Sequence, residues 1–183
     1  MQFKVFPMPK KINISKTISD FSSTILIVCD PTLSDNTKKH VASFRKAISP
    51  FFSDKLAIIS APSKAESTLL TIKMVKTGIN QQGYKLKAQT KKGITLTATD
   101  EAGILYGLET LKQIILQTGS QVPEFEITDH PDFPARGFML DVSRAKVPSM
   151  ETLRNLIDIM VTLKLNQLQL YIEHTFAFTD HET

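Results

Sequence analysis

The chain has 183 residues, a length that suits one domain or one domain with part of a second. Hydrophobic residues make up 42% and charged residues 22% of it, which is ordinary for a globular protein and excludes a disordered or collagen-like chain. The formal net charge of +4 comes mainly from scattered lysines, with few arginines and no tryptophan, so we expect no nucleic-acid partner.

Membrane, secretion and disulfide signals are absent from the sequence. No stretch approaches the roughly 18 apolar residues of a membrane span, so no membrane partner is expected. The N-terminus has no long apolar region, which predicts no signal peptide and slightly favours the cytoplasm, although the location stays open. The single cysteine, Cys29, excludes an internal disulfide and lies in the apolar run TILIVCD. We predict it to be a core residue rather than a catalytic thiol.

The first two thirds of the chain predict an α+β module. The predicted elements, in chain order, are strands at 11–15 and 24–30, a helix over 35–52 that ends near Pro50, strands at 55–61 and 67–76, a hairpin of 83–90 with 93–100, and a helix from Asp100 to about Gln117. The hairpin alternates apolar and polar residues, as a sheet with one buried face does. We predict an antiparallel sheet with about two helices on one face.

The amino-acid composition changes after this module. Prolines and acids crowd residues 123–135, which we predict to be a linker with room for one short strand, FEIT. A strand at 137–143, a helix from Pro148-Ser149 and a strand at 166–172 then form a β-α-β pattern. The predicted domains are therefore 1–122 and 136–183, joined by that linker.

Two segments carry a family resemblance. The run RGFMLDVSRAKVPSMETLRNLIDIMVTLKLNQLQLYI resembles the start of the catalytic barrel of glycoside hydrolase family 20, the β-N-acetylhexosaminidases. The family pattern R-G-x-x-L-D-x-S-R is matched from Arg136 to Arg144, and K-L-N is matched at 164–166. The small domain before that barrel is also similar, with G-Y-x-L from Gly83 and G-x-x-Y-G-x-x-T-L-x-Q from Gly103.

The resemblance implies an enzyme of which this chain is one part. Family members remove terminal β-linked N-acetylhexosamine, and the substrate's own acetamido oxygen attacks the anomeric carbon. An adjacent Asp-Glu pair assists, the Glu as acid and the Asp as orienter. A (β/α)8 barrel needs about 250 residues, so we expect a truncated barrel start, with the catalytic pair beyond Thr183 and no activity in this chain alone. The pair Asp100-Glu101 is predicted to be a helix cap.

The resemblance also implies the substrate-binding residues. Arg144 stands at the carboxyl end of the first barrel strand, and the family's arginine there grips hydroxyls of the terminal sugar. The alternative is a structural ion pair with Asp141 or with an acid outside this chain. Glu173 and His174 replace an Asp-Asp pair of many members, and either a sugar hydrogen bond or a plain polar strand end fits them. Arg136, at the start of the strand, is predicted to be structural.

Further expectations concern cofactors, partners, an alternative function and exposed surfaces. No cofactor or metal is expected, because the acidic and histidine residues of the last segment, His174, Asp180, His181 and Glu182, do not complete a zinc motif. The partner implied is a glycan that contains N-acetylhexosamine. The alternative function is a non-catalytic packing or interaction module. The two late strands are expected to expose apolar faces, and so to be disordered, to pack on the first domain or to drive self-association.

Overall fold

The computed structural model describes residues 3–24, 26–52, 56–60, 68–144 and 147–173. The chain divides into two compact units, Met1–Asp132 and Phe133–Thr183. Each unit is described by itself below. None of the described helices is long and apolar enough to cross a bilayer.

The described part of the first unit combines strands with two α-helices. Its elements are β1 (Lys11–Asp20), β2 (Leu26–Val28), α1 (Asp35–Ile48), a 3-10 turn (Ser49–Phe51), β3 (Ala57–Ile59), β4 (Thr68–Met74), β5 (Tyr84–Gln89), β6 (Gly93–Ala98), α2 (Glu101–Thr118) and β7 (Gln121–Asp129). The α+β class is confirmed. The end of α1 also agrees with the prediction, because Pro50 lies in the 3-10 turn that follows it.

The sheet is mixed rather than antiparallel as predicted. Its seven strands follow the order β1-β7-β5-β6-β4-β2-β3. The β1-β7, β7-β5 and β5-β6 pairs are antiparallel, whereas β6-β4, β4-β2 and β2-β3 are parallel. Helix α1 crosses over between β2 and β3 and returns the chain to the same end of the sheet, as parallel pairing requires. Alternation within a strand fixes its buried face but carries no information about its neighbour's direction.

The predicted linker is wrong over its first half. The short strand FEIT is confirmed as part of β7, which runs to Asp129, lies between β1 and β5 and bonds to both. Pro123 is tolerated there although proline cannot donate a ladder hydrogen bond. Val122, Phe125 and Ile127 point into the core, so the segment is bound into the sheet by apolar burial as well as by pairing. The connection between the two units is correspondingly shorter than predicted.

Both helices begin at side-chain caps that the sequence signals. The Ser34 hydroxyl accepts a hydrogen bond from the N–H of Thr37 at 3.3 Å, and Asp100 accepts from the N–H of Gly103 at 2.7 Å. The Glu101 carboxylate accepts from the N–H and the hydroxyl of Ser34, at 2.5 and 2.6 Å. These bonds from Ser34 lower the pKa of Glu101. Asp100 thus caps α2, as predicted, and Glu101 also ties α2 to the start of α1, which was not predicted.

The core lies between the helices and one face of the sheet. Along β5, Tyr84, Leu86 and Ala88 are buried and the lysines between them are exposed. The Tyr84 hydroxyl is satisfied by Thr110 of α2 at 2.6 Å. Cys29 is buried in the same core, and burial raises the pKa of its thiol to about 11. Its predicted position in the core is confirmed.

A buried carboxylate links α2 to α1. Glu109 is only 3% exposed, and its Oε1 lies 3.3 Å from Nε2 of His40 on α1, while its Oε2 contacts Nζ of Lys112. These are ion pairs by distance rather than well-aligned hydrogen bonds. Burial opposes ionisation of Glu109, but the close approach of His40 and Lys112 outweighs it and holds the pKa of the carboxyl below its usual value.

This cluster predicts a specific pH dependence of stability. We expect Glu109→Gln to lower the free energy of unfolding at pH 7 by about 2 kcal/mol, because it leaves the Lys112 ammonium and the His40 ring without their buried carboxylate. A lowered folded-state pKa stabilises the protein above the unfolded-state pKa, and this contribution is lost as pH falls through the folded-state pKa. The gap between wild type and variant should therefore close below the ordinary glutamate pKa of 4.5. Urea unfolding from pH 3 to 8, with the surface variant Glu126→Gln as control, measures the gap; a gap that is constant with pH would contradict the prediction.

The second unit has a parallel pair of strands joined by a helix. Its described elements are β8 (Gly137–Asp141), α3 (Met150–Thr162) and β9 (Gln167–Tyr171). The two strands pair in register from Gly137 with Gln167 to Asp141 with Tyr171. Ser149 caps α3 by accepting from the N–H of Thr152 at 3.1 Å, in agreement with the sequence.

Apolar side chains of this unit stay exposed, as predicted. Met139 on β8 is 58% exposed and Leu170 on β9 is 42% exposed. On α3, Met160 is buried, whereas Ile157 is 47% exposed. A sheet of two strands is too small to bury the apolar side of α3. It also leaves the apolar side chains on its other face exposed.

Candidate functional site

The polar residues of the second unit gather where its two strands end. Because β8 and β9 are parallel, their carboxyl ends lie at the same edge. The pairing continues past the strands, since the N–H of Val142 donates to the carbonyl of Tyr171 at 3.1 Å. Residues that follow Asp141 and Tyr171 are therefore neighbours in space although 30 positions separate these two residues.

A turn built by Asp141 sets the position of Arg144. One carboxylate oxygen of Asp141 accepts from the N–H of Ser143 at 2.9 Å and from the N–H of Arg144 at 3.2 Å. The Ser143 hydroxyl in turn accepts a hydrogen bond from the N–H of Glu173. The backbone on both sides of the edge is thus held by side chains of the same turn.

Arg144 bridges the two strand ends. Its Nε lies 3.0 Å from Oε2 of Glu173 and 3.3 Å from Oδ2 of Asp141. Its guanidinium carbon lies 5.4 Å from the centre of the Tyr171 ring, within reach of a cation–π contact. The side chain is still 63% exposed. A guanidinium has five donors, so the pair with Glu173 leaves capacity for a ligand at this edge.

The electrostatics keep this arginine charged. Tyr171, then Glu173 and then the charge of Asp141 raise the pKa of Arg144. The carboxylates of Glu173 and Asp141 flank the guanidinium of Arg144 and hold its planar group in place. Held in this way, the guanidinium can donate hydrogen bonds to oxygen atoms of a ligand. Such a site can bind hydroxyl groups of a sugar, but the described residues contain no pair of carboxylates free to act as acid and nucleophile here.

The structure brings together two of the three predicted site residues. Arg144 and Glu173 are in direct contact, and His174 lies outside the described residues. The ion pair with Asp141, weighed as the alternative role of Arg144, is present and coexists with the pair to Glu173. Tyr171 was not predicted. Tyr171 lies opposite Asp141 in the register of the two parallel strands, and that register is the feature that could have identified it.

Arg136 lies at the opposite end of β8 and makes structural contacts, as predicted. Its Nε and Nη2 donate to the carbonyl of Lys164 at 3.0 and 2.8 Å, and Nη1 donates to the carbonyl of Phe133 at 2.7 Å. Asn166 accepts from the N–H of Arg136 at 2.8 Å. These bonds close the turn that leads from α3 into β9. They explain why an arginine and an asparagine stand at the motif positions 136 and 166.

Metal ligation finds no support in the described part of the chain. Among those residues, no three His, Cys, Asp or Glu side chains lie close enough together to hold a metal ion. The histidines and acids of the last segment, His174, Asp180, His181 and Glu182, lie outside the described residues.

Comparison with known proteins gives one family for both units. A family model described as glycosyl hydrolase family 20, domain 2, matches residues 2–130, and the model of that family's catalytic domain matches 133–179. The β-hexosaminidase of Porphyromonas gingivalis is 33% identical over 109 residues, covering 55% of this chain and 14% of the relative. Subunit A1 of the Dictyostelium discoideum β-hexosaminidase is 26% identical over 189 residues, covering 98% of this chain and 34% of the relative.

A solved structure agrees at the level of fold. The exo-β-N-acetylglucosaminidase of Vibrio harveyi, in complex with N-acetylglucosamine, superimposes with a TM-score of 0.70 at 22% identity. The match covers 90% of this chain and 25% of that one. The chain therefore spans about a third or less of the length of each relative named here.

Proposed function

Because the chain belongs to glycosyl hydrolase family 20, we propose that it is the N-terminal part of a β-N-acetylhexosaminidase. In this proposal the first unit is the accessory domain, and residues from Phe133 onward begin a (β/α)8 catalytic barrel. The complete enzyme removes terminal β-linked N-acetylhexosamine from glycans. The position of the accessory domain's end is revised from residue 122 to Asp129, the last residue of β7.

The exposed apolar side chains of the second unit support the barrel proposal. A (β/α)8 barrel buries both faces of every strand, one against its interior and one against the outer helices. Met139 and Leu170 on the strands and Ile157 on the helix are apolar and exposed in this chain. Later strands and helices of a barrel would cover them. Without those elements the same surfaces favour self-association.

The contact between Arg144 and Glu173 is the observation that carries the proposed function. It lies at the carboxyl ends of two parallel strands, which is where barrel enzymes build their active sites. In the proposed complex, the guanidinium donates hydrogen bonds to hydroxyl oxygens of the terminal sugar while Glu173 and Asp141 hold it in place. Glu173 and His174 also contribute acceptors or donors to that sugar.

The chemistry proposed for the complete enzyme is substrate-assisted and retains the anomeric configuration. The acetamido oxygen of the substrate attacks the anomeric carbon as the glycosidic bond breaks, and a Glu donates a proton to the leaving oxygen. Water then adds to the anomeric carbon and breaks its bond to the acetamido oxygen, while the Glu, left as a carboxylate by the first step, takes the proton from that water. The neighbouring Asp orients the acetamido group. Arg144 takes no part in these proton transfers, so its contribution is binding and orientation.

The test is hydrolysis of 4-nitrophenyl N-acetyl-β-glucosaminide by the complete protein and by the 183-residue chain. We expect turnover by the complete protein, with the β-anomer of the sugar as first product by NMR, and none by the chain alone. Replacing the acetyl group of the substrate by trifluoroacetyl should lower kcat, because fluorine withdraws electrons from the attacking oxygen. Equal rates for the two substrates would contradict substrate assistance. Absence of turnover by the complete protein would favour the non-catalytic module.

A further inference from the structure

The outer face of the sheet carries a row of alternating lysine and threonine side chains. Strand register pairs Lys73 with Thr97, Thr97 with Lys85, Lys85 with Thr128 and Thr128 with Lys11. Register partners project from the same face of a sheet, so the row crosses five strands, from β4 to β1. All three lysines are exposed, on the face opposite the core.

The row keeps its positive charge and has a regular spacing. The lysines lie on every second strand of the order β4-β6-β5-β7-β1, which separates neighbouring lysines by about 9.6 Å. Among the residues that the structure describes, Lys11, Lys73 and Lys85 form no ion pair. A threonine hydroxyl, which can donate and accept, stands between each lysine and the next.

The carboxylates near the row are occupied by other contacts. Glu126 pairs with Lys87 at 3.2 Å. Asp129 accepts from the Tyr84 hydroxyl at 3.1 Å, and Glu124 accepts from a backbone N–H at 2.6 Å. Glu126 is thus matched by Lys87, whereas the three lysines of the row have no ion-pair partner among the described residues.

A depression of about 390 Å³ opens beside one end of the row. Its lining combines cationic side chains (Lys10, Lys11 and Lys85), two carboxylates (Glu126 and Asp129), Thr128, His130 and the turn at residues 78–80. The surface is therefore concave where two of the three lysines lie.

We propose that this row binds a linear polysaccharide that carries carboxylate or sulfate groups, with its chain running across the strands. The interval between lysines is roughly the length of two linked sugar rings, and the hydroxyls between them match hydroxyl groups of a sugar. The outward positions of β1, β4, β5, β6 and β7 hold no aromatic residue and no arginine. Single-stranded nucleic acid is bound through aromatic stacking, so this face suits it poorly. The inference is independent of the hydrolytic activity proposed above.

The test compares binding of the 183-residue chain to immobilised polygalacturonate before and after removal of the row. In the variant K11Q/K73Q/K85Q we expect the apparent Kd at low salt to rise about tenfold, the effect of losing three exposed ion contacts. Added NaCl should weaken binding of the wild type more steeply than that of the variant. Thermal unfolding of each protein verifies that the sheet is intact.

The control is K39Q/K46Q/K92Q, which removes the same charge from exposed lysines elsewhere in the first unit. It should leave the apparent Kd within about twofold of the wild-type value. Equal weakening by both triple variants would overturn the proposal in favour of net charge alone. Poly-L-glutamate or a thymidine oligonucleotide that binds as tightly as polygalacturonate, with the same loss in K11Q/K73Q/K85Q, would overturn the polysaccharide assignment. Absence of binding at low salt would overturn it as well.

Discussion

Replacing Arg144 by alanine in the complete protein should lower kcat/KM for 4-nitrophenyl N-acetyl-β-glucosaminide by about 100-fold. The guanidinium is proposed to donate charged hydrogen bonds to the terminal sugar, and each such bond is worth about 1.5 to 3 kcal/mol. Arg144→Lys should be nearly as damaging, because an ammonium cannot contact Glu173, Asp141 and a sugar from one planar group. Steady-state kinetics of both variants measure the loss.

Two matched variants separate a binding role from a general effect on the unit. Arg154→Ala removes an exposed arginine from α3 and should leave kcat/KM unchanged. Glu173→Gln keeps the shape of the partner but weakens the ion pair that fixes Arg144, so we expect a smaller loss, carried mainly by KM. A kcat/KM for Arg144→Ala within threefold of wild type would contradict the proposed contact with the substrate.

The largest effect on stability is expected for Gly103→Ala, with a loss of about 3 kcal/mol in the free energy of unfolding. A Cβ at Gly103 would lie 2.1 Å from the carbonyl oxygen of Gly83 and 2.9 Å from Cβ of Ala98. The first neighbour is backbone and cannot rotate away, so α2 would have to move off the sheet. Alanine normally stabilises a helix interior by about 1 kcal/mol relative to glycine, which makes the sign of this effect a sharp test.

Gly107→Ala is the matched comparison one turn further along α2. Its Cβ would lie 2.2 Å from Cδ1 of Leu96, which is the end of a flexible side chain and can change rotamer. We expect a loss of only about 1 kcal/mol there. Urea unfolding of the two variants ranks them. A Gly103→Ala protein as stable as wild type, or less affected than Gly107→Ala, would contradict this account of the helix–sheet contact.

Local elements could be predicted because their signals are local. The alternation of β5 and β6 specifies one buried face, and the caps Ser34, Asp100 and Ser149 are visible as short polar side chains before apolar helices. The two family motif glycines of α2 gain a physical reason only from the structure, which reveals backbone approaching one and a leucine side chain approaching the other.

Pairing between strands could not be predicted in the same way. The segment around Pro123 has the composition of a linker, yet burial of Phe125 and Ile127 holds it between β1 and β5. The parallel half of the sheet depends on a crossover through α1, a relation between distant parts of the chain. Propensity and alternation report neither of these long-range choices.

The candidate site was partly visible in the sequence. The motif identified Arg144, and the end of the next strand identified Glu173, but their contact depends on the register of β8 against β9. Asp141 was seen as a partner of Arg144 and not as the side chain that shapes the turn before it. Tyr171 could not be predicted because its ring contacts Arg144 only when the two strands are paired.

The central claim, that Arg144 binds hydroxyls of the terminal sugar, is tested most directly by a cycle of enzyme and substrate changes. Wild type and Arg144→Ala are assayed on the 4-nitrophenyl substrate and on analogues that each lack one sugar hydroxyl. For the hydroxyl that Arg144 contacts, the account predicts a loss of kcat/KM of at least about tenfold in wild type and almost no loss in Arg144→Ala. Equal losses in the two proteins for every hydroxyl removed would contradict it.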